Sequence, residues 1–341
     1  MASRRSTRAR SAEHQDAPHT EPVEVDVSMT QREALQSYIK AAELLMLAAV
    51  YSPISQLSLS PVYGSIPPSA YHLRMTAVAI FLAWAARQRI PNYVPKVVVN
   101  YLPVLAFLIP TIQFVLFKYS GQLGPVYGPL ITELLTYFPL LFISLIGVSA
   151  SLDDFDWKRN IGDTMPAIAS YGLFSMIQRV LSHFISRNMG SSMIFTRSGL
   201  QFIVATFYAL LLPSKFIVLA VLPLLHSAIY NPHIPLQQNA DVLNSTLQVQ
   251  GYSLVARQES LTGYISVLDN IKDGFRVLRC DHSLLGGEWL HYQDNPISNP
   301  RKLREPVYAI FVMLEAVRLV EFQNLKPGTL IPDNDNQALV M

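Results

Sequence analysis

Between positions 32 and 230 apolar residues come in long runs separated by short polar breaks; beyond 230 the pattern changes. The runs fall at about 36–58, 70–87, 98–118, 127–150, 164–186, 194–212 and 214–230. Each approaches the roughly 20 mostly apolar residues of a bilayer-crossing helix. The breaks carry helix-ending chemistry, with Arg87-Gln88-Arg89-Ile90-Pro91 closing one run and Gly121-Gln122-Leu123-Gly124-Pro125 preceding another. Prolines inside the runs (Pro103, Pro110, Pro139 and Pro223) fit helices whose neighbours can satisfy the freed carbonyls.

From Thr246 the period falls to two. Thr246 to Val255 alternates, and Tyr264–Leu268 and Phe275–Arg279 flank a turn ending in Asp273-Gly274, which predicts a hairpin. Ser283 to Leu290 predicts a third strand, and Gly286-Gly287 marks a bulge in it. Arg301 to Phe322 predicts a helix, apolar from Val307 to Val320 except at Tyr308, Glu315 and Arg318. A helix so apolar wants cover on most of its circumference. Ala338-Leu339-Val340 reads as the start of a buried parallel strand.

Composition sharpens this picture. Half of the 341 residues are apolar, only 15% are charged, and mean hydropathy is +0.27; ordinary soluble domains carry about 25% charged residues. That argues against a simple soluble enzyme and a disordered chain. A net charge of +2 offers no field for a phosphate backbone, so no nucleic-acid partner is expected. The expected class is a multi-pass integral membrane protein in the lipid bilayer. Its N-terminus is placed on the cytoplasmic side by the Arg-rich start and by the basic residues of the 87–97 and 151–163 loops. The expected fold class is mainly α: a disordered tail at 1–31, a polytopic transmembrane helical bundle at 32–230, a linker at 231–245, and a small β-hairpin/α module at 246–341.

Candidate chemistry is sparse. Arg179 and His183 stand four apart in the fifth run and form a candidate intramembrane polar site. Lys40 and Glu43 read as an ion pair near a helix start, Glu133 as a residue near the interface, and Arg197 and His226 as helix-end residues. Cys280, His282 and His291 match no zinc spacing, and the Asp153, Asp154, Asp156 loop lacks the calcium-loop pattern. No G-x-S-x-G occurs. Neither a catalytic residue nor a metal site is expected.

Two segments, Ser260 to Leu290 and Arg304 to Ala316, resemble the membrane-anchored branch of the spermidine/spermine synthase (polyamine aminopropyltransferase) family, as found in fungi. The resemblance implies a small β-domain followed by a Rossmann-like domain, with transmembrane helices in front. It implies decarboxylated S-adenosylmethionine as co-substrate of a full-length relative, held by a Gly-rich loop after the strand that Ala338–Val340 resembles. The 15 glycines contain no G-x-G-x-x-G. From the resemblance only Tyr308 is carried over, as a residue approaching the polyamine pocket. The resulting expectation is a membrane protein of the aminopropyltransferase-like family, cut before its Rossmann-like domain, inactive alone and without a cofactor. A protein partner or oligomer would cover the helix at 307–320. The other reading is a transporter or membrane scaffold with a C-terminal interaction module.

Overall fold

The computed structural model describes residues 27–90, 93–152 and 164–290. Among these the chain is mainly helical and ends in one antiparallel sheet. The longest helix, α1 (Val27–Tyr63), is the axis of the bundle. Leu44, Ala48, Tyr51 and Ile54 lie within 1% of full burial along one side of it. Around it stand α2 (Ile66–Ala86), α3 (Tyr93–Val98), α4 (Leu102–Phe117), α5 (Ser120–Leu135), α6 (Tyr137–Ser151), α7 (Met165–Asn188) and α8 (Arg197–Leu211). A 3-10 turn, Lys215–Ala220, leads into α9 (Val221–Tyr230), and α10 (Gln237–Val249) leads to the sheet. Ile80, Ile109, Leu141, Phe174 and Tyr208 close the core against α1. Gly147 allows α6 to approach: a Cβ there would meet Val99 at 2.9 Å and Leu44 at 3.0 Å.

The run expected at 127–150 is two helices. Thr136, at φ −121° and ψ −78°, separates α5 from α6. Pro139 supplies the reason, since it has no N–H for the Leu135 carbonyl and its ring crowds that oxygen. Three stretches among the described residues are long and apolar enough to cross a membrane, by length and composition only: Leu35–Tyr63, Val99–Phe117 and Ser120–Ser151. The other four expected spans do not reach that mark. Serine, glutamine, arginine and histidine dilute α7, and α8 and the Lys215–Tyr230 segment are short.

The sheet has strand order β1-β2-β3-β4, with β1 (Tyr252–Glu259), β2 (Tyr264–Asn270), β3 (Phe275–Cys280) and β4 (Ser283–Trp289) all antiparallel to their neighbours. The expected hairpin is β2–β3, and β4 follows where a third strand was expected. Register slips where Leu278 pairs with Gly286 and Arg279 with Leu284, which leaves Leu285 as the bulged residue beside the glycine pair. The strand expected from Thr246 starts late. Thr246 to Val249 finish α10, where the Thr246 hydroxyl bonds the Val242 carbonyl, and Gly251 at φ +85° makes the turn into β1. The apolar helix at 307–320, Tyr308 and the strand at 338–340 lie outside the described residues.

Candidate functional site: an ionic clamp and cavity between helices and sheet

The first turn of α8 and the last residue of β1 meet. Thr196 caps α8: its hydroxyl oxygen accepts the Gly199 N–H at 3.0 Å and donates to the Met193 carbonyl at 2.8 Å. The next residue, Arg197, opens the helix with its own N–H unused by the helical ladder. That N–H donates to Glu259 Oε2 at 2.8 Å, and Arg197 Nη1 lies 3.3 Å from the same oxygen. A carboxylate is thus placed on the positive end of a helix as well as on a guanidinium.

Arg197 is 3% exposed, and its remaining donors are used locally. Nε donates to the Leu57 carbonyl at 2.7 Å, and Nη2 to the Ser260 carbonyl at 2.9 Å and the Ser60 hydroxyl at 3.3 Å. One side chain therefore ties the end of α1, the start of α8 and the β1–β2 turn. Burial pushes the Glu259 carboxyl above the usual range, and the Arg197 N–H and charge oppose that rise. Glu259 Oε1 is buried with no partner among the described residues.

Beside the clamp lies a cavity of about 480 Å³, within the usual size range of small-ligand pockets. Tyr264 forms part of its wall. The Arg257 guanidinium sits 4.0 Å over the Tyr264 ring, and that of Arg197 5.2 Å from it. Such cation–π contacts hold both guanidinium groups against the ring. Arg257 Nη1 donates to the Pro232 carbonyl at 2.6 Å. His233 lies across the ring, its Nδ1 3.3 Å from the Tyr264 hydroxyl. Burial, then Arg257 and then Arg197, lower the His233 imidazole from 6.5 to about 4. The imidazole is therefore neutral near pH 7. Gly190 brings its loop against β1: at φ +79° it lets its N–H bond the Phe195 carbonyl, and a Cβ there would overlap the Glu259 carbonyl oxygen.

A second polar cluster is sealed inside the bundle. His72 Nδ1 donates to Glu133 Oε1 at 2.7 Å, which also accepts from the Ser55 hydroxyl at 2.9 Å. His72 Nε2 is 2.6 Å from Ser52 Oγ. The two ionisable groups are 0% and 1% exposed, and Tyr137 stacks on the imidazole at 5.2 Å. The order serine, histidine, carboxylate is that of a nucleophile with its base and orienter. Closed packing around it makes it a joint between α1, α2 and α5.

The residues picked from the sequence fare unevenly. Arg179 and His183 are both exposed on α7. Lys40 is exposed and Glu43 half-buried. Glu133, expected near an interface, is in the interior. Arg197 is at a helix end as expected, but buried and ion-paired rather than solvated. His226 is exposed and packs on Tyr230. His233, Arg257, Glu259 and Tyr264 were not foreseen as a group, because α10 separates His233 from the strands in sequence. Among the described residues no group of metal-holding side chains occurs.

Over 318 residues the chain is 40% identical to an N-terminal histidine N-methyltransferase of Emericella nidulans. The match covers 92% of this chain and 56% of that relative, so the chain spans little more than half the relative's length. No family model matches, and no solved structure does.

The match corrects several expectations. The relative is named for methyl transfer to an N-terminal histidine, and not for aminopropyl transfer, so the spermidine/spermine synthase assignment and its polyamine chemistry fall. The carry-over to Tyr308 loses its basis with them. The reading as an inactive member of that family falls with it, as does the transporter or scaffold alternative. A relative named for methyl transfer overturns the expectation of no co-substrate, and that of a decarboxylated donor in longer relatives, since both followed from the polyamine assignment. The transmembrane bundle with its β-hairpin module and the multi-pass localisation are corrected as well. They rested on apolar helices alone, which by themselves do not show a multi-pass membrane protein, and among the described residues three stretches have the length and composition. Among the described residues the strands are all antiparallel and none passes through a Gly-rich turn into a helix. None of them is assigned to the donor.

Proposed function

We propose that this chain belongs to an enzyme that transfers a methyl group from S-adenosylmethionine to a nitrogen of an amino-terminal histidine of a polypeptide. The observation that carries the reading is the 40% identity extending over 92% of the chain. The 8% left over is too short to exclude the whole stretch from Gly190 to Tyr264, so the likeness reaches the clamp and cavity. The reaction needs a nitrogen lone pair aimed at the methyl carbon of a sulfonium, with the sulfur leaving as a thioether. Holding an acceptor end rigidly is the part this region suits: α1, α8 and the β1–β2 turn are locked by one arginine, and the cavity opens beside them. Rigid positioning of this kind contributes to rate by keeping reactants in line.

The test uses the full-length polypeptide, S-adenosylmethionine carrying an isotopically labelled methyl group, and two peptides. One begins with histidine; the other is the same peptide with an alanine placed ahead of that histidine. Mass spectrometry should find one labelled methyl on the terminal histidine of the first peptide and none on the second. Should the Emericella nidulans relative methylate the first peptide while this protein leaves both unmodified, the reading is wrong.

A further inference from the structure

The cavity wall holds a guanidinium, Arg257, that makes no direct ion pair; the Glu259 and Asp281 carboxylates act on it from a longer distance. Glu259, also in the cavity lining, gives Oε2 to Arg197, and its Oε1 has no partner among the described residues. Asp281 is turned to the Tyr264 N–H, which it accepts at 2.7 Å. Among the described residues no carboxylate oxygen lies within 4.0 Å of the Arg257 nitrogens, and the hydrogen bond from its Nη1 goes to a neutral carbonyl. Arg257 is nonetheless half-buried, pinned to the Tyr264 ring and part of the cavity lining. A partly desolvated guanidinium with no carboxylate in direct contact is a costly feature. Its planar fork pairs best with a carboxylate, through two parallel hydrogen bonds. The lining also holds the apolar Met193, Ile234, Leu236 and Ala240.

We propose that this cavity is a carboxylate-binding site, with Arg257 pairing the carboxylate and the apolar wall taking a short hydrocarbon chain attached to it. The neutral His233 ring beside Tyr264 adds no second cation, so the site favours a single negative charge over a phosphate. Two sources carry this chemistry: a free aliphatic carboxylic acid, or an aspartate or glutamate side chain of a polypeptide. The site stands on the cavity and Arg257, and the methyl-transfer reading stands on the likeness to the relative, so the two can fail separately.

The probe is hexanoate, titrated into the full chain while the His233 ring resonances are followed by NMR. His233 shares the cavity, so its resonances should shift and saturate. Arg257→Gln should weaken the affinity roughly 10- to 100-fold. Arg257→Lys, which keeps the charge and loses the fork, should fall between the two, and it decides the matter if Arg257→Gln does not fold. Lys272→Gln, an exposed charge on the β2–β3 turn, should leave binding unchanged. Competition separates the sources. Displacement of hexanoate by the C-terminally amidated tripeptide His-Gly-Glu but not by amidated His-Gly-Gln supports a polypeptide ligand; displacement by neither, with hexanoate still bound, supports a free acid. No shift of His233 with hexanoate, or equal affinity in wild type and both Arg257 variants, overturns the proposal, whether or not the protein transfers methyl groups.

Discussion

Arg197 bonds Glu259 twice, once through its backbone N–H at 2.8 Å and once through its guanidinium at 3.3 Å, although 62 residues separate them. The contact joins helix start to strand end with both side chains at most 5% exposed. Breaking one side of such a pair strands the other charge in the interior, which costs about 3–5 kcal/mol. Arg197→Met should therefore lower unfolding free energy in urea by that amount. Arg197→Met combined with Glu259→Leu should recover the part due to the stranded carboxylate. The Leu57 and Ser260 carbonyls would still lack their donor, so recovery should be incomplete. A single-variant loss below about 1 kcal/mol, the scale of an exposed ion pair, would show that this contact does not hold the sheet in place.

The imidazole of His233 gives the region an acid limit. Its folded value of about 4 lies below the ordinary 6.5, with burial the main cause and the two arginines adding to it. The unfolded chain therefore takes up this proton first, and acid favours unfolding. The contribution is whole above pH 6.5 and is lost as pH falls toward 4, amounting to about 3 kcal/mol at most. Glu259 and Asp281 act in the opposite sense, because their folded values are raised by burial and acidification relieves them. The comparison to make is wild type against His233→Gln, which does not titrate. Stability curves of the two should diverge between pH 6.5 and pH 4, with the variant losing less. Parallel curves there would place His233 in a solvated setting.

The strands were readable in the sequence because alternation and turn residues act locally. The β2–β3 hairpin and the bulge beside Gly286 are both where Asp273-Gly274 and Gly286-Gly287 put them. The site was not readable, because its parts are tertiary. Glu259 looks like a strand end and Arg197 like a helix start, and nothing in either segment says that they meet. A weak signal was present in α1, where Ser52, Ser55 and Ser58 recur every three residues and mark a polar stripe on an otherwise apolar helix. That stripe receives Glu133, His72 and Gln201. Hydropathy averaging hides it, and with it the difference between an apolar helix and one built around an internal polar seam.

Gly190 is the point where the loop before α8 presses on β1. At φ +79° an L-residue costs about 1–2 kcal/mol, and the added Cβ would also overlap the Glu259 carbonyl oxygen, a backbone atom that cannot rotate away. Gly190→Ala should cost at least about 2 kcal/mol and should move the His233 resonances, since Gly190 and His233 line one cavity. Gly172→Ala, on α7 where a Cβ meets nothing within 4 Å, is the control and should be neutral or slightly stabilising. Equal stability of the two variants would mean that the loop adjusts and does not set the cavity's shape.

The cluster inside the bundle makes a sharper prediction because its two ionisable members can be removed in unlike ways. Glu133→Gln keeps the shape and keeps an oxygen that can accept from both His72 Nδ1 and the Ser55 hydroxyl, the two donors now served by one carboxylate oxygen. The loss should be small, about 1 kcal/mol. His72→Leu fills the space, but it leaves the Glu133 carboxylate at 1% exposure with the Ser55 hydroxyl as its remaining side-chain donor in the cluster. Its cost should be about 3–5 kcal/mol, the scale of an unpaired buried charge. Ser52→Ala removes the other neighbour of the imidazole and should cost about 1–2 kcal/mol. If the cluster is a joint between helices, all three variants should keep whatever methyl transfer the folded protein has once stability is allowed for. Loss of activity in Ser52→Ala with unchanged urea midpoint would instead mark this serine as a reacting group and overturn the assignment as a joint.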